Sequence, residues 1–99
     1  MTNLFMSIRG EMQAALKAAM KARRELEVLV LRSVLAAVHN RAIADRIAEE
    51  AMDDVRVRAV LMGEAKKRKE AALAFDGGGR SDAANKEREE LAIIQAYLP

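Results

Sequence analysis

Ninety-nine residues of 10.9 kDa make one modest core and not an ordinary two-domain enzyme, because a chain of this size buries only roughly 60–70% of its unfolded surface. With 52% hydrophobic and 32% charged residues the composition excludes a disordered tail, and 3% aromatics without tryptophan argues against a base-stacking sheet platform. The lack of cysteine removes disulfides, thiolate zinc sites, iron–sulfur clusters and thiol catalysis, and the net charge of +2 says little until its distribution is read. Ala, Leu, Met, Glu, Lys and Arg dominate, and one proline and five glycines interrupt them. These are the strong helix formers, so the expected fold is all-α, a single small bundle of about four helices.

In chain order, Phe5, Ile8, Met12, Ala15, Leu16 and Ala19 recur at steps of three and four. That is the stripe of an amphipathic helix, predicted over about residues 3–21 with Thr2 or Asn3 as its cap. Lys21, Arg23 and Arg24 suit a helix C-terminus, where cations oppose the negative end of the dipole. A second helix is expected over about 25–39, with Leu26, Leu29, Val30, Val34 and Ala37 on one stripe and Val28, Leu31, Leu35 and Val38 on another. Apolar nearly all round, it should be the central element, covered on most sides. Periodicity alone leaves a buried strand open for Val28–Leu31; the flanking helix formers decide for helix. His39-Asn40 reads as its stop, since Asn tolerates the left-handed cap conformation. Residues 41–52 read as a connector with a short turn at Ile43–Ala48.

Asp53 is expected to cap a third helix over about 53–75, with Val57, Val60, Leu61, Ala65, Ala72 and Phe75 inward. Gly77-Gly78-Gly79 costs too much backbone entropy for a helix interior and must be a loop. Ser81 or Asp82 then caps a fourth helix over about 81–98, with Ala84, Leu91, Ile94 and Leu98 inward. An apolar face still in full run at Tyr97-Leu98-Pro99 suggests a truncated chain.

No apolar run reaches the roughly 18–20 residues of a membrane span. The best candidate, Leu26 to Val38, is interrupted by Glu27, Arg32 and Ser33, and Arg9 and Glu11 break any leader-like stretch, so a cytoplasmic protein off the membrane is expected. Charge is uneven: Arg56 to Glu70 carries +4 and Arg41 to Asp54 carries −3. This fits a nucleic-acid or acidic-protein contact, although a solvated helix face is the simpler reading. The single histidine, His39, has no nucleophile elbow or Glu-x-x-His partner and reads as a helix-end surface residue. Gly77-Gly78-Gly79-Arg80-Ser81 lacks the spacing of a phosphate loop, and a connector is preferred over a weak phosphate site at the next helix start. No catalytic residue, metal site or cofactor is expected. Glu64 and Arg68, spaced i, i+4 beside the apolar stripe, form a candidate structural pair locking helices 3 and 4; the competing reading holds Arg68 ready for a phosphate.

The set Met12, Ala15 and Lys17, then Leu31-Arg32-Ser33-Val34-Leu35-Ala36-Ala37-Val38 with Asn40, then Glu64-Ala65-Lys66-Lys67-Arg68-Lys69-Glu70 with Phe75, then Gly79-Arg80-Ser81-Asp82-Ala83-Ala84-Asn85-Lys86-Glu87, and finally Tyr97-Leu98-Pro99 resembles the YqeY family over nearly the whole chain. YqeY-like proteins in turn resemble the C-terminal helical region of one of the subunits that make up glutamine-dependent Asp-tRNA/Glu-tRNA amidotransferases. That appendage contacts tRNA and does no chemistry, although the family carries a label of carbon–nitrogen ligase with glutamine as amide donor. The resemblance implies that residues 1–99 are the family's N-terminal helical domain and that its usual second small helical domain is absent. Connector 41–52 departs from the family, which usually has a shorter, more polar segment before helix 3.

The expectation is therefore a non-catalytic module with tRNA, and a tRNA amidotransferase or synthetase, as partners. Lys66, Lys67, Arg68, Arg80 and Lys86 are the candidate phosphate contacts, acting by counterion release. The alternative is a protein-interaction or structural bundle with no nucleic-acid role, favoured if Met6, Met62 and Tyr97 are exposed together. The oligomeric state is left open.

Overall fold

The computed structural model describes residues 6–99. Among them the chain is helical with no strand: α1 (Ile8–Lys21), α2 (Glu25–Asp45), a one-turn 3-10 helix at Glu49–Ala51, α3 (Asp54–Gly77) and α4 (Ser81–Gln95). The protein is all-α, as its helix-forming composition implies. No helix among the described residues is long and apolar enough to cross a membrane.

The expected cap at Thr2 or Asn3 and the stripe residue Phe5 lie outside the described residues. Met6 and Ser7 precede α1, which therefore opens at Ile8 and not near residue 3. Ser7 is extended (φ −68°, ψ 160°) and its Oγ accepts the Gly10 N–H at 2.9 Å, satisfying one of the donors a helix start leaves open. A Cβ at residue 10 would stand 3.2 Å from that Oγ, so glycine leaves the cap its room. A second cap comes from far along the chain: Asp54 Oδ1 accepts the Ile8 N–H at 2.9 Å, 46 residues away in sequence.

Three helices end in the same way. Arg24 and Arg23 donate to the Ala19 and Met20 carbonyls at 2.9 and 3.2 Å. Ile47 and Arg46 donate to Ala42 and Ile43, both at 3.1 Å. Arg80 and Gly79 donate to Phe75 and Asp76 at 2.8 and 3.1 Å. Each is the paired 6→1 and 5→2 bond of a Schellman turn, which needs one left-handed residue. Gly79 fills that place after α3 (φ 73°), but arginines fill it after α1 and α2, both at φ 56°.

These turns correct several expected boundaries. Helix α2 does not stop at His39-Asn40; it runs on to Asp45, where Arg41 Nε meets Asp45 Oδ2 at 3.0 Å across one turn. Ala36, Ala37, Ala42 and Ala44 are strong helix formers and carry it past a single Asn. The connector is therefore 46–53, and its turn falls at Glu49–Ala51 rather than Ile43–Ala48. Asp53 caps α3 through its Oδ1, which accepts the Arg56 N–H at 3.0 Å. Neither Ser81 nor Asp82 caps α4. Arg80 holds the cap position without a side-chain bond, because it also closes the α3 turn and leaves no residue free between the two helices. Helix α4 ends at Gln95.

The chain divides into two compact units, Met1–Val60 and Leu61–Pro99. In the first, Ile8, Met12 and Ala19 of α1 are buried, as are Val30, Leu31, Val34, Val38 and Ala42 of α2, together with Met52 and Val57. Fully burying Met12, Leu31 or Val34 contributes about 1.5–3 kcal/mol each. Helix α2 buries one face only. Leu29 is 53% and Ile43 62% exposed, against the expectation of cover on most sides. In the second unit Leu61, Ala65, Ala72, Ala84 and Ile94 are buried, and so is one charged residue, Glu64.

Candidate nucleic-acid interface

The candidate cations lie on α3 and α4 of the Leu61–Pro99 unit. Helix α3 turns Leu61, Ala65 and Ala72 inward at steps of four and seven, and Glu64 falls on that face beside Ala65. A buried carboxylate needs partners, and two neighbours on its own helix supply them. Arg68 Nη1 donates to Glu64 Oε1 at 2.8 Å and to the Glu64 carbonyl at 3.3 Å; Lys67 Nζ donates to Oε2 at 3.0 Å. Burial pushes the Glu64 carboxyl up, but the hydrogen bonds from Arg68 and Lys67, aided by their charges, outweigh it and hold the group below the usual glutamate range. Arg68 also reaches α4, with Nε 3.8 Å from Glu90 Oε1.

Arg68 is thereby withdrawn from solvent, its side chain only 11% exposed between two carboxylates. As a phosphate contact it is spent; as the joint between α3 and α4 it is well placed. Lys66 and Lys67 reach solvent, with side chains 76% and 74% exposed, although the Lys67 ammonium is shared with Glu64. Lys66 Nζ lies 3.9 Å from Glu70 Oε1, a solvent-exposed pair of little worth. Lys69 and Lys86 are exposed and make no ion pair among the described residues. The Arg80 guanidinium stands 5.3 Å from the Phe75 ring centroid, a cation–π distance that fixes it beside the glycine turn. Arg88, on α4, pairs with Asp76 at the end of α3 and bonds Asn85 Oδ1 at 3.2 Å.

These cations do not form one ridge. Lys66 and Lys69 sit together, lining with Met62, Ala65, Leu98 and Pro99 an open groove of about 370 Å³. Arg80 lies beyond the end of α3, eleven residues past Lys66 at Gly77 and so roughly 16 Å along the axis. Lys86 follows buried Ala84 by two positions, which turns it to the opposite side of α4. Seven basic and seven acidic side chains leave residues 61–99 with no net charge.

Sequence reasoning missed Glu90 as a partner of Arg68 and left Lys69 out of the candidate set. Glu90 and Arg68 are equally far from Gly79, a mirror relation that a helical hairpin turned at that glycine makes legible. It also misplaced His39. This residue is inside α2, and its Nδ1 lies 3.2 Å from Glu49 Oε2. That hydrogen bond, opposed by a small upward push from burial and helped by Arg9, holds the Glu49 carboxyl below its usual value. Arg9 Nε is 3.4 Å from Glu49 Oε1 without hydrogen-bond geometry. Glu49 thus ties α1 and α2 to the 3-10 turn. Among the described residues no three His, Asp or Glu side chains converge as metal ligands would.

A model of the family described as Yqey-like protein matches residues 9–99. No curated protein matches the chain.

Proposed function

The chain belongs to the Yqey-like protein family, and from that premise we propose that it is a non-catalytic, cytoplasmic helical module that binds tRNA phosphates. It acts beside a tRNA amidotransferase or synthetase, as the appendage that the family resembles does. The observation that carries this reading is the split between spent and open cations on the α3–α4 pair. Arg68 and Lys67 compensate the buried Glu64, and Arg68 braces the two helices, while Lys66, Lys69, Arg80 and Lys86 stay exposed and Lys67 keeps most of its side chain in solvent. A braced helix pair carrying long, exposed lysine side chains suits phosphates, which demand charge and not base-edge geometry. With no net charge on residues 61–99, long-range steering is weak and affinity rests on short-range contacts.

Filter binding of the purified chain to bulk tRNA, over a salt series, tests this. Neutralising three or four phosphates gives a log–log slope of roughly −2 to −4. No retention at low salt, or retention indifferent to salt, removes the reading. A second reading, a protein-interaction module, has its own support: Met62 and Leu73 are 63% and 68% exposed on the α3 stripe that carries Lys66 and Lys69. Tyr97, which that reading wanted exposed, is half-buried. Light scattering separates the two readings. A dimer that grows with concentration favours the second, and a monomer at high concentration favours the first.

A further inference from the structure

The first unit holds a surface that the tRNA reading does not use. Where α1 turns into α2, Met20, Val28 and Leu29 form the floor of an open groove of about 450 Å³. Met20 is 49% and Leu29 53% exposed, large apolar side chains left open among the described residues. Arg23 and Arg32 stand on its rim with one carboxylate, Glu25. Arg32 closes one wall, its Nη2 3.8 Å from Met20 Sδ. Arg24 alongside is paired with Glu27 at 3.2 Å, while Lys17 and Lys21 add exposed positive charge on the same end of α1.

We infer that this groove docks an acidic amphipathic helix of a partner protein, its leucine-type side chains on Met20, Val28 and Leu29 and its carboxylates on Arg23 and Arg32. The charge of the rim selects the sign of the partner, and the apolar floor selects its kind. A small molecule would lie in an open trough and leave too much of itself in water. A nucleic-acid strand gains nothing from an aliphatic floor that offers no aromatic ring to its bases. A helix presenting apolar anchors at i, i+3 and i+4 with acidic flanks meets both features at once.

The test uses a fluorescein-labelled amphipathic peptide of roughly 15 residues, about four helical turns, with leucines on one face and glutamates on the other, titrated with the full chain and read by anisotropy. A peptide of the same pattern with lysine for glutamate is the control. The acidic peptide should bind at least about tenfold tighter than the basic one, and Leu29→Asp or Arg32→Glu should each weaken it about tenfold, a loss typical of a central anchor. Arg23→Gly guards against misfolding, since glycine suits the left-handed turn (φ 56° at Arg23) and removes the cation without straining the backbone; it should bind more weakly while its circular dichroism is unchanged. Equal binding of both peptides, no binding of either, affinity unmoved by these variants, or displacement of the peptide by tRNA would each overturn the inference.

Discussion

Replacing Arg46 by glycine should make the protein more stable, although Arg46 is an ordinary exposed side chain by every measure except one. Its backbone sits at φ 56° and ψ 42°, where the Cβ of an L-residue crowds the following carbonyl. That conformation costs roughly 1–2 kcal/mol. Glycine escapes the clash but gives up more freedom on folding, a penalty of roughly 0.5–1 kcal/mol. The difference leaves a gain of about 0.5–1 kcal/mol, or roughly 2–8 °C in the melting temperature of a domain this size. The measurement is thermal unfolding followed by circular dichroism, with Arg46→Ala beside it. Alanine removes the same guanidinium but keeps the Cβ, so it should leave the midpoint near that of the parent chain. The Schellman bonds from Ile47 and Arg46 at 3.1 Å are backbone bonds and survive either change. If Arg46→Gly melts no higher than Arg46→Ala, the left-handed turn is not the source of the cost and the reasoning fails. Gly79→Ala, at φ 73°, runs the experiment in reverse and should lower the midpoint by a similar amount.

Glu64→Ala should lower the urea midpoint by an amount equal to about 1–3 kcal/mol, because it takes the 2.8 Å partner from Arg68 in a site only 11% exposed and leaves it the longer 3.8 Å contact with Glu90; an unmoved midpoint would mean the pair contributes nothing. Acid should destabilise the parent chain in a defined window. Glu64 and Glu49 are both held below their ordinary 4.5 in the folded state, so their contribution is complete above that value and is lost as pH falls through the lower folded values. Urea midpoints taken between pH 6 and pH 3 check the sign, and Glu64→Gln should flatten the decline. Lys66→Ser with Lys69→Ser should reduce the salt slope of tRNA retention by roughly 1.4–1.8, two phosphates' worth; an unchanged slope would place the phosphates elsewhere.

Most of the buried face was legible from spacing alone. Val57, Leu61, Ala65 and Ala72 on α3, and Ala84 and Ile94 on α4, fall where the helical period puts them, and all six are buried. Helix ends were not legible, for a physical reason. A Schellman turn announces itself by glycine, as at Gly79, but Arg46 is a good helix former whose backbone happens to be left-handed. Nothing in its identity says so, and the weaker hint of Asn40 drew the boundary too early. At the candidate site, the spacing of Glu64 and Arg68 was readable within one helix. The contribution of Glu90 was not, because it depends on which residues the turn at Gly78-Gly79 brings opposite one another, and Gly77, expected in that loop, is instead the last residue of α3. The same dependence hid the groove under Lys66 and Lys69, whose far wall is Leu98 and Pro99.

The bond from the Ile8 amide to the Asp54 carboxylate bears on the order in which the chain takes shape. A ribosome delivers residue 8 long before residue 54, so the Ile8 amide gains this partner only when the third helix begins to emerge. Deuterium uptake at that one amide, followed through refolding, therefore times the arrival of a segment nearly half the molecule away.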